Sequence, residues 1–170
     1  MDRVTNANGS RGNDAPPWWD SWRGVYFAAL KVLKQTEPDL IAEMGFGYVW
    51  LDVLARLADS PHGRRYRMQE LQDASMFTRS GMTRLVDRME QAGLVQRENV
   101  PGDRRGVFVV LTDKGMDEYQ QAMAHHMKSI EREFGRRLTP EQHETVAAAL
   151  FQFWHDAGPA EEAGGDRRGQ

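Results

Sequence analysis

The chain alternates amphipathic stretches with turn residues, and its clearest stretch lies between Arg79 and Gly93. Met82, Leu85, Val86 and Met89 fall at i, i+3, i+4 and i+7, the spacing of one buried helical face. The opposite face carries Arg79, Ser80, Thr83, Arg84, Asp87 and Arg88. Thr78 is placed to cap this helix and Gly93 to end it. Two β-rich runs follow, Leu94 to Arg97 and Val107 to Leu111, with turn residues Pro101-Gly102-Asp103 between them. Thr112 caps a long helix expected from Asp113 to about Arg137. Thr139-Pro140-Glu141-Gln142 then opens a last helix, with proline in its first turn and a T-x-x-Q capping box, striped by Val146, Leu150, Phe153 and Trp154.

On the N-terminal side a helix is expected from Trp18, with Trp18, Trp22, Val25, Ala29 and Leu33 along one stripe and Trp19, Tyr26 and Leu30 beside it. Pro38 is expected to stop it. Gly45-Phe46-Gly47 precedes a second helix over roughly Tyr48 to Asp59, apolar at Val49, Trp50, Val53, Leu54 and Leu57. Ser60 to Gly63 end that helix, Met68 to Ala74 form a short one with Leu71 inward, and Ser75 to Phe77 make a turn. The fold class is therefore mainly α with a small β-hairpin wing, a winged helix-turn-helix at about 46–111. Dimerisation helices at about 18–36 and 113–156 complete a single domain over 18–157. Residues 1–17 and 158–170, polar and Gly-rich, read as a disordered arm and tail.

A helix that buries one side and displays arginines and hydroxyls on the other fits a DNA major groove. The basic hairpin beside it fits the backbone and minor groove. The terminal helices carry more large aromatics than so small a module can bury. A second copy of the chain is the simplest cover, giving a C2 dimer whose recognition helices meet two half-sites of a roughly palindromic operator.

Charge agrees with one DNA-facing side. The net charge is -3, yet nine arginines stand against six acids between His62 and Gly106. The absence of cysteine removes disulfides, thiolate catalysis, thiol-based redox sensing and Cys-rich zinc sites. Neither a Gly-rich phosphate loop nor H-E-x-x-H nor G-x-S-x-G is present, so an enzyme is not expected, and no cofactor. His125-His126, with His143 and His155, raise the alternative of a metal-responsive regulator. Adjacent histidines on a helix point about 100° apart, so metal binding is not the expectation. There is no run of 18 apolar residues and no signal-peptide stretch at the start, which leads to the expectation of a cytoplasmic protein without a membrane span.

In combination, MTRLVDRME, QAGLVQR, Asp103-Arg104-Arg105 and Leu111-Thr112-Asp113-Lys114-Gly115 resemble the signature of the MarR (multiple antibiotic resistance regulator) family. The resemblance runs from the first helix to about Trp154. It implies a homodimeric, ligand-responsive winged helix-turn-helix transcription factor, often a repressor, with an interface built from the terminal helices. Met82 and Met89 stand where the signature has leucine, and keep the face apolar.

Candidate DNA contacts are Thr78, Arg79, Ser80, Thr83 and Arg84 on the helix and Asp103, Arg104 and Arg105 in the wing. Short donors suit phosphates and base edges, and a long arginine reaches guanine O6 and N7. By the resemblance, Asp103 braces the loop, through turn hydrogen bonds or a nearby arginine, and Arg105 enters the minor groove. Arg104 suits phosphates, whereas Arg88 is expected to pair with Asp87 or Glu90 on its own helix. Arg64, Arg65 and Arg67 are open between flanking phosphates and an exposed loop. The family's small-molecule site lies between dimerisation helices and winged module. Trp22, Tyr26, Phe46 and Trp50 are candidates to line it for a hydrophobic or phenolic effector, against the alternative of ordinary core and interface aromatics. A winged-helix module for protein contacts is a further alternative.

Overall fold

The structure is a computed structural model that describes residues 15–16, 18–73 and 79–155, without the side chains of Arg79, Ser80, Arg104, Arg105, Gln152, Trp154 and His155. The expected arm before Ala15, the turn at 75–77, the cap Thr78 and the tail from 158 lie outside the described residues.

Along the chain come α1 (Trp18–Met44), α2 (Tyr48–Ala58), β1 (Arg65–Arg67), α3 (Met68–Asp73), α4 (Arg79–Gln91), β2 (Val95–Val100), β3 (Asp103–Leu111), α5 (Asp113–Glu133) and α6 (Pro140–His155). A 3₁₀ turn at Gly135–Arg137 separates α5 from α6, so the long helix ends before the expected Arg137. The strands form one antiparallel sheet in the order β1-β3-β2.

The core sits where α2, α3, α4 and the sheet meet. Val53, Leu54 and Leu57 of α2, Leu71 of α3, all four apolar residues of the α4 stripe and Val109 of β3 are buried. Leu40 of α1 and Ala122 of α5 close it from the terminal helices. The periodicity thus predicted the buried face of α4 residue by residue, whereas on α2 the expected Val49 is exposed and Leu51, outside the expected stripe, is buried.

Three further features differ from expectation. First, α1 does not stop at Pro38 but runs six residues further, to Met44. An interior proline lacks the N–H for its i−4 carbonyl and costs a helix about 3 kcal/mol. Here packing outweighs that cost. Leu40 is buried, Asp39 pairs with Arg132 of α5 at 2.5 Å, and Glu37 accepts the Tyr48 N–H at the start of α2 at 3.4 Å. Glu37 therefore places an anion where the α2 dipole favours one. Gly47, which has no side-chain cap of its own, leaves room for it: a Cβ there would lie 2.7 Å from Glu37 Oε1.

Second, β1 joins the sheet outside the hairpin, with Arg65, Tyr66 and Arg67 opposite Val110, Val109 and Phe108. Gly63 (φ 77°) and Arg64 (φ 60°) take left-handed conformations that turn the chain into it. Third, the wing strands are longer than expected and reach a two-residue tip, because Val100 pairs directly with Asp103. Pro101 followed by Gly102 at φ 80° is the residue order of a type II turn.

The caps at Gly93, Thr112 and Thr139 form as the sequence predicts. Leu94 N–H reaches Met89 O at 3.0 Å and Gly93 N–H reaches Glu90 O at 2.9 Å, the two bonds of a Schellman end to α4. Thr112 Oγ1 accepts from Gly115 N–H at 2.9 Å. Thr139 and Gln142 bond reciprocally at 2.9 and 3.3 Å.

A polar joint connects α1, α2 and α5. Tyr48 Oη contacts the buried Thr36 Oγ1 and lies 3.2 Å from His126 Nδ1, while Thr36 Oγ1 donates to Val32 O at 2.9 Å. Burial and the neighbouring His125 hold the His126 imidazole below its ordinary pKa, and burial raises that of Tyr48. His125 Nε2 is buried with no partner among the described residues.

Candidate nucleic-acid interface

Helix α4 turns its four apolar residues into the core, and the same geometry turns Thr83, Arg84 and Arg88 outward. Arg84 and Arg88 line a shallow hollow with Gly81 and Asp87. Among the described residues neither guanidinium has an ion pair. This corrects the expectation for Arg88: the carboxylates assigned to it are taken by Arg97. Arg97 Nη2 lies 2.6 Å from Asp87 Oδ1, its Nη1 pairs with Glu90, and its backbone N–H donates to Glu90 Oε1 at 2.9 Å. Arg97, the last residue of the QAGLVQR motif, sits on β2. It therefore couples α4 to the wing, a role the residue spacing alone did not reveal.

The other end of the wing is braced from β1. Arg67 Nη1 lies 3.2 Å from Asp103 Oδ2, so of the two bracing modes expected for Asp103, pairing with a nearby arginine occurs. That pair is half exposed and contributes at most about 1 kcal/mol. A Cβ on Gly106 would lie 2.6 Å from the same carboxylate oxygen and 2.8 Å from Val100 Cβ. The glycine after Asp103-Arg104-Arg105 thus lets the two strands cross closely. The guanidinium groups of Arg65 and Arg67 lie 5.0 and 5.8 Å from the Phe108 ring centroid. These arginines belong to a strand rather than to a loop. Arg104 and Arg105 start β3 just past the tip, and Arg79 and Ser80 start α4. Their backbones place them at the wing and at the helix N-terminus; Thr78 lies outside the described residues.

The last motif, Leu111 to Gly115, fastens α5 to the end of α4. Thr112 Oγ1 donates toward Gly93 O and Leu94 O at 2.8 and 3.0 Å, Thr112 N–H reaches Leu94 O at 3.1 Å, and Lys114 Nζ reaches Ala92 O at 2.8 Å. A Cβ on Gly115 would stand 2.0 Å from Leu94 O, so only glycine fits.

The family model described as "MarR family" matches residues 44–106, from the end of α1 to the wing. The crystal structure of AbsC, a MarR family transcriptional regulator from Streptomyces coelicolor, is 32% identical, with a TM-score of 0.68 over 81% of this chain and 91% of that one. The chain belongs to the MarR family. Another similar structure is Sco3205, a MarR family transcriptional regulator from the same organism solved in complex with DNA. It is 32% identical with a TM-score of 0.69, covering 84% of this chain and 92% of that one. Among curated relatives, PecS of Dickeya dadantii is 32% identical over 78 residues, 46% of this chain and 47% of PecS. HosA of Escherichia coli O111:H- is 34% identical over 92 residues, 54% of this chain and 65% of HosA. The matches span about half to two thirds of these two proteins.

The four aromatics expected to line an effector pocket in this MarR-family chain do not converge. Trp22 and Tyr26 stack on each other at 5.8 Å in the first turns of α1, while Phe46 and Trp50 stack at 5.6 Å where α1 meets α2. The uninterrupted α1 separates the pairs by about 30 Å of helix. Phe46 is a core residue. Trp22 instead lines an apolar cleft of about 850 Å³ with Trp18, Trp19, Val25, Leu150 and Phe153. Among the described residues no group of three or more His, Asp or Glu is placed to hold a metal, and no helix is long and apolar enough to cross a membrane. His143 Nε2 lies 2.9 Å from Gly135 O and His126 faces Tyr48, so these rings serve separate contacts.

Proposed function

We propose that this chain is a homodimeric, sequence-specific DNA-binding regulator that represses by occupying its operator and is released by a small hydrophobic or phenolic ligand. The observation that carries the DNA reading is the outward face of α4: Thr83, Arg84 and Arg88 exposed, with both arginines free of ion pairs among the described residues. By sequence, Thr78, Arg79 and Ser80 before and at the start of α4 and Arg104 and Arg105 in the wing are the further candidates for contacts to base edges and phosphates, with Asp103 as brace. The DNA complex of Sco3205 supports the same reading. The exposed aromatic face of α1 and α6, from Trp18 to Phe27 and at Phe151 and Phe153, supports a second copy as the partner.

Fluorescence anisotropy on DNA from upstream of the chain's own gene tests the proposal. Saturable, sequence-preferring binding is expected, weakening steeply with salt as counterions are released. Arg105→Ala should lose about 1–3 kcal/mol of it. Binding no tighter than to random DNA would count against the reading. Ligand release rests on the apolar cleft beside Trp22 and fails if a panel of aromatic acids neither frees the DNA nor quenches tryptophan fluorescence.

A further inference from the structure

Helix α4 carries two carboxylates, Asp87 and Glu90, on or beside the face proposed to approach a polyanion. Asp87 shares its surface hollow with Arg84 and Arg88 and stands three residues after Arg84, within reach on a helix surface. An unclaimed carboxylate there would pair with Arg84 and repel phosphates. Among the described residues Asp87 makes no pair with Arg84, and both carboxylates instead face Arg97. Its side chain is three-quarters buried, unlike those of the other ion-paired arginines, and it meets one carboxylate with each terminal nitrogen. We infer that Arg97 is a positioning residue for DNA binding: by holding Asp87 and Glu90 it keeps Arg84 and Arg88 available to DNA, and it locks the recognition helix to the wing in one orientation.

This rests on the proposed DNA function, so its test includes a readout that needs no operator. Three variants separate charge masking from mere support. Arg97→Gln leaves both carboxylates unclaimed. Arg97→Gln/Asp87→Asn removes the carboxylate in the hollow and restores the net charge of the parent. Arg97→Gln/Asp52→Asn restores the same net charge at a distance, on the exposed side of α2.

Operator affinity should fall about tenfold or more in Arg97→Gln, with a salt slope smaller by about one as Arg84 is drawn off a phosphate. It should recover most of the loss with Asp87→Asn and none with Asp52→Asn. Retention on heparin, a polyanion without sequence, should follow the same order. Thermal unfolding establishes that each variant is folded; where Arg97→Gln is not, Arg97→Lys replaces it, since one ammonium cannot fork to two carboxylates. Equal recovery by both double variants, recovery by neither, or an unchanged single variant overturns the inference. If the parent shows no operator preference while heparin retention keeps the predicted order, the DNA-regulator reading fails and the masking role of Arg97 stands.

Discussion

Leu57 and Phe27 are both large apolar side chains on helices, yet Leu57 is fully buried and Phe27 is 56% exposed. Each represents its region. In the winged module, α2, α3, α4 and the sheet turn Leu54, Leu71, Val86 and Val109 toward one another, and one core results. In the terminal helices, Trp18, Trp22, Phe27, Phe151 and Phe153 stay at the surface, and among the described buried residues of α1 only Thr36 and Leu40, near its far end, reach the interior. The first region is complete within one chain. The second carries the composition of a core without its burial.

The sharpest way to break this contrast is at Gly115. Gly115→Ala should prevent α5 from docking on α4, because the added carbon meets a backbone oxygen rather than a yielding side chain. Circular dichroism melting should show the cooperative transition lost or broadened. Leu57→Ala should cost about 2–5 kcal/mol in urea unfolding, the range for a buried leucine whose site cannot collapse. Phe153→Ala paired with Phe27→Ala should act differently. Dilute-protein stability should change by no more than about 1 kcal/mol, while sedimentation should show weaker self-association and a melting temperature that no longer rises with concentration.

Smaller effects sharpen the joint between the regions. Because burial and His125 hold His126 below the usual 6.5, the unfolded chain takes up its proton first as pH falls. The stability tied to neutral His126 is therefore complete above pH 6.5 and is lost as pH falls below it toward the folded value. Urea midpoints across pH 8 to 5 should decline on the acid side, and His126→Gln should flatten that decline. Smallest of all is Arg56→Ala, which removes an exposed i,i+4 pair with Asp52 and should shift stability by about 0.5 kcal/mol or less.

What the sequence made legible follows from which forces are periodic. Met82, Leu85, Val86 and Met89 announce their burial by spacing, and Gly93, Thr112 and the Thr139–Gln142 box announce helix ends by side-chain chemistry. Pro38 misled because its cost is local, whereas the contacts that outweigh it come from Arg132, distant in sequence, and from Tyr48 on the next helix. β1 was hidden because Arg65-Tyr66-Arg67 has almost no apolar signal; its ladder consists of backbone bonds to β3. The outer halves of the wing strands were missed for the same reason. At the candidate site the outward arginines were legible. Arg97 was not, since its partners lie seven and ten residues earlier, on another element. The effector aromatics were grouped by residue type, and the uninterrupted run of α1 places them at opposite ends.

The junction at Leu94 and Gly115 has a mechanical meaning. With glycine pressed against a carbonyl, and Thr112 and Lys114 bonded across the seam, the start of α5 and the end of α4 have little room to slide. Helix α5 is 21 residues long, about 30 Å, and so acts as a crank fixed at its N-terminal end to α4. A tilt of about 5° moves its far end by nearly 3 Å on that length, a displacement comparable to a change of side-chain packing. A displacement at the far end of α5 thereby has leverage on the orientation of α4.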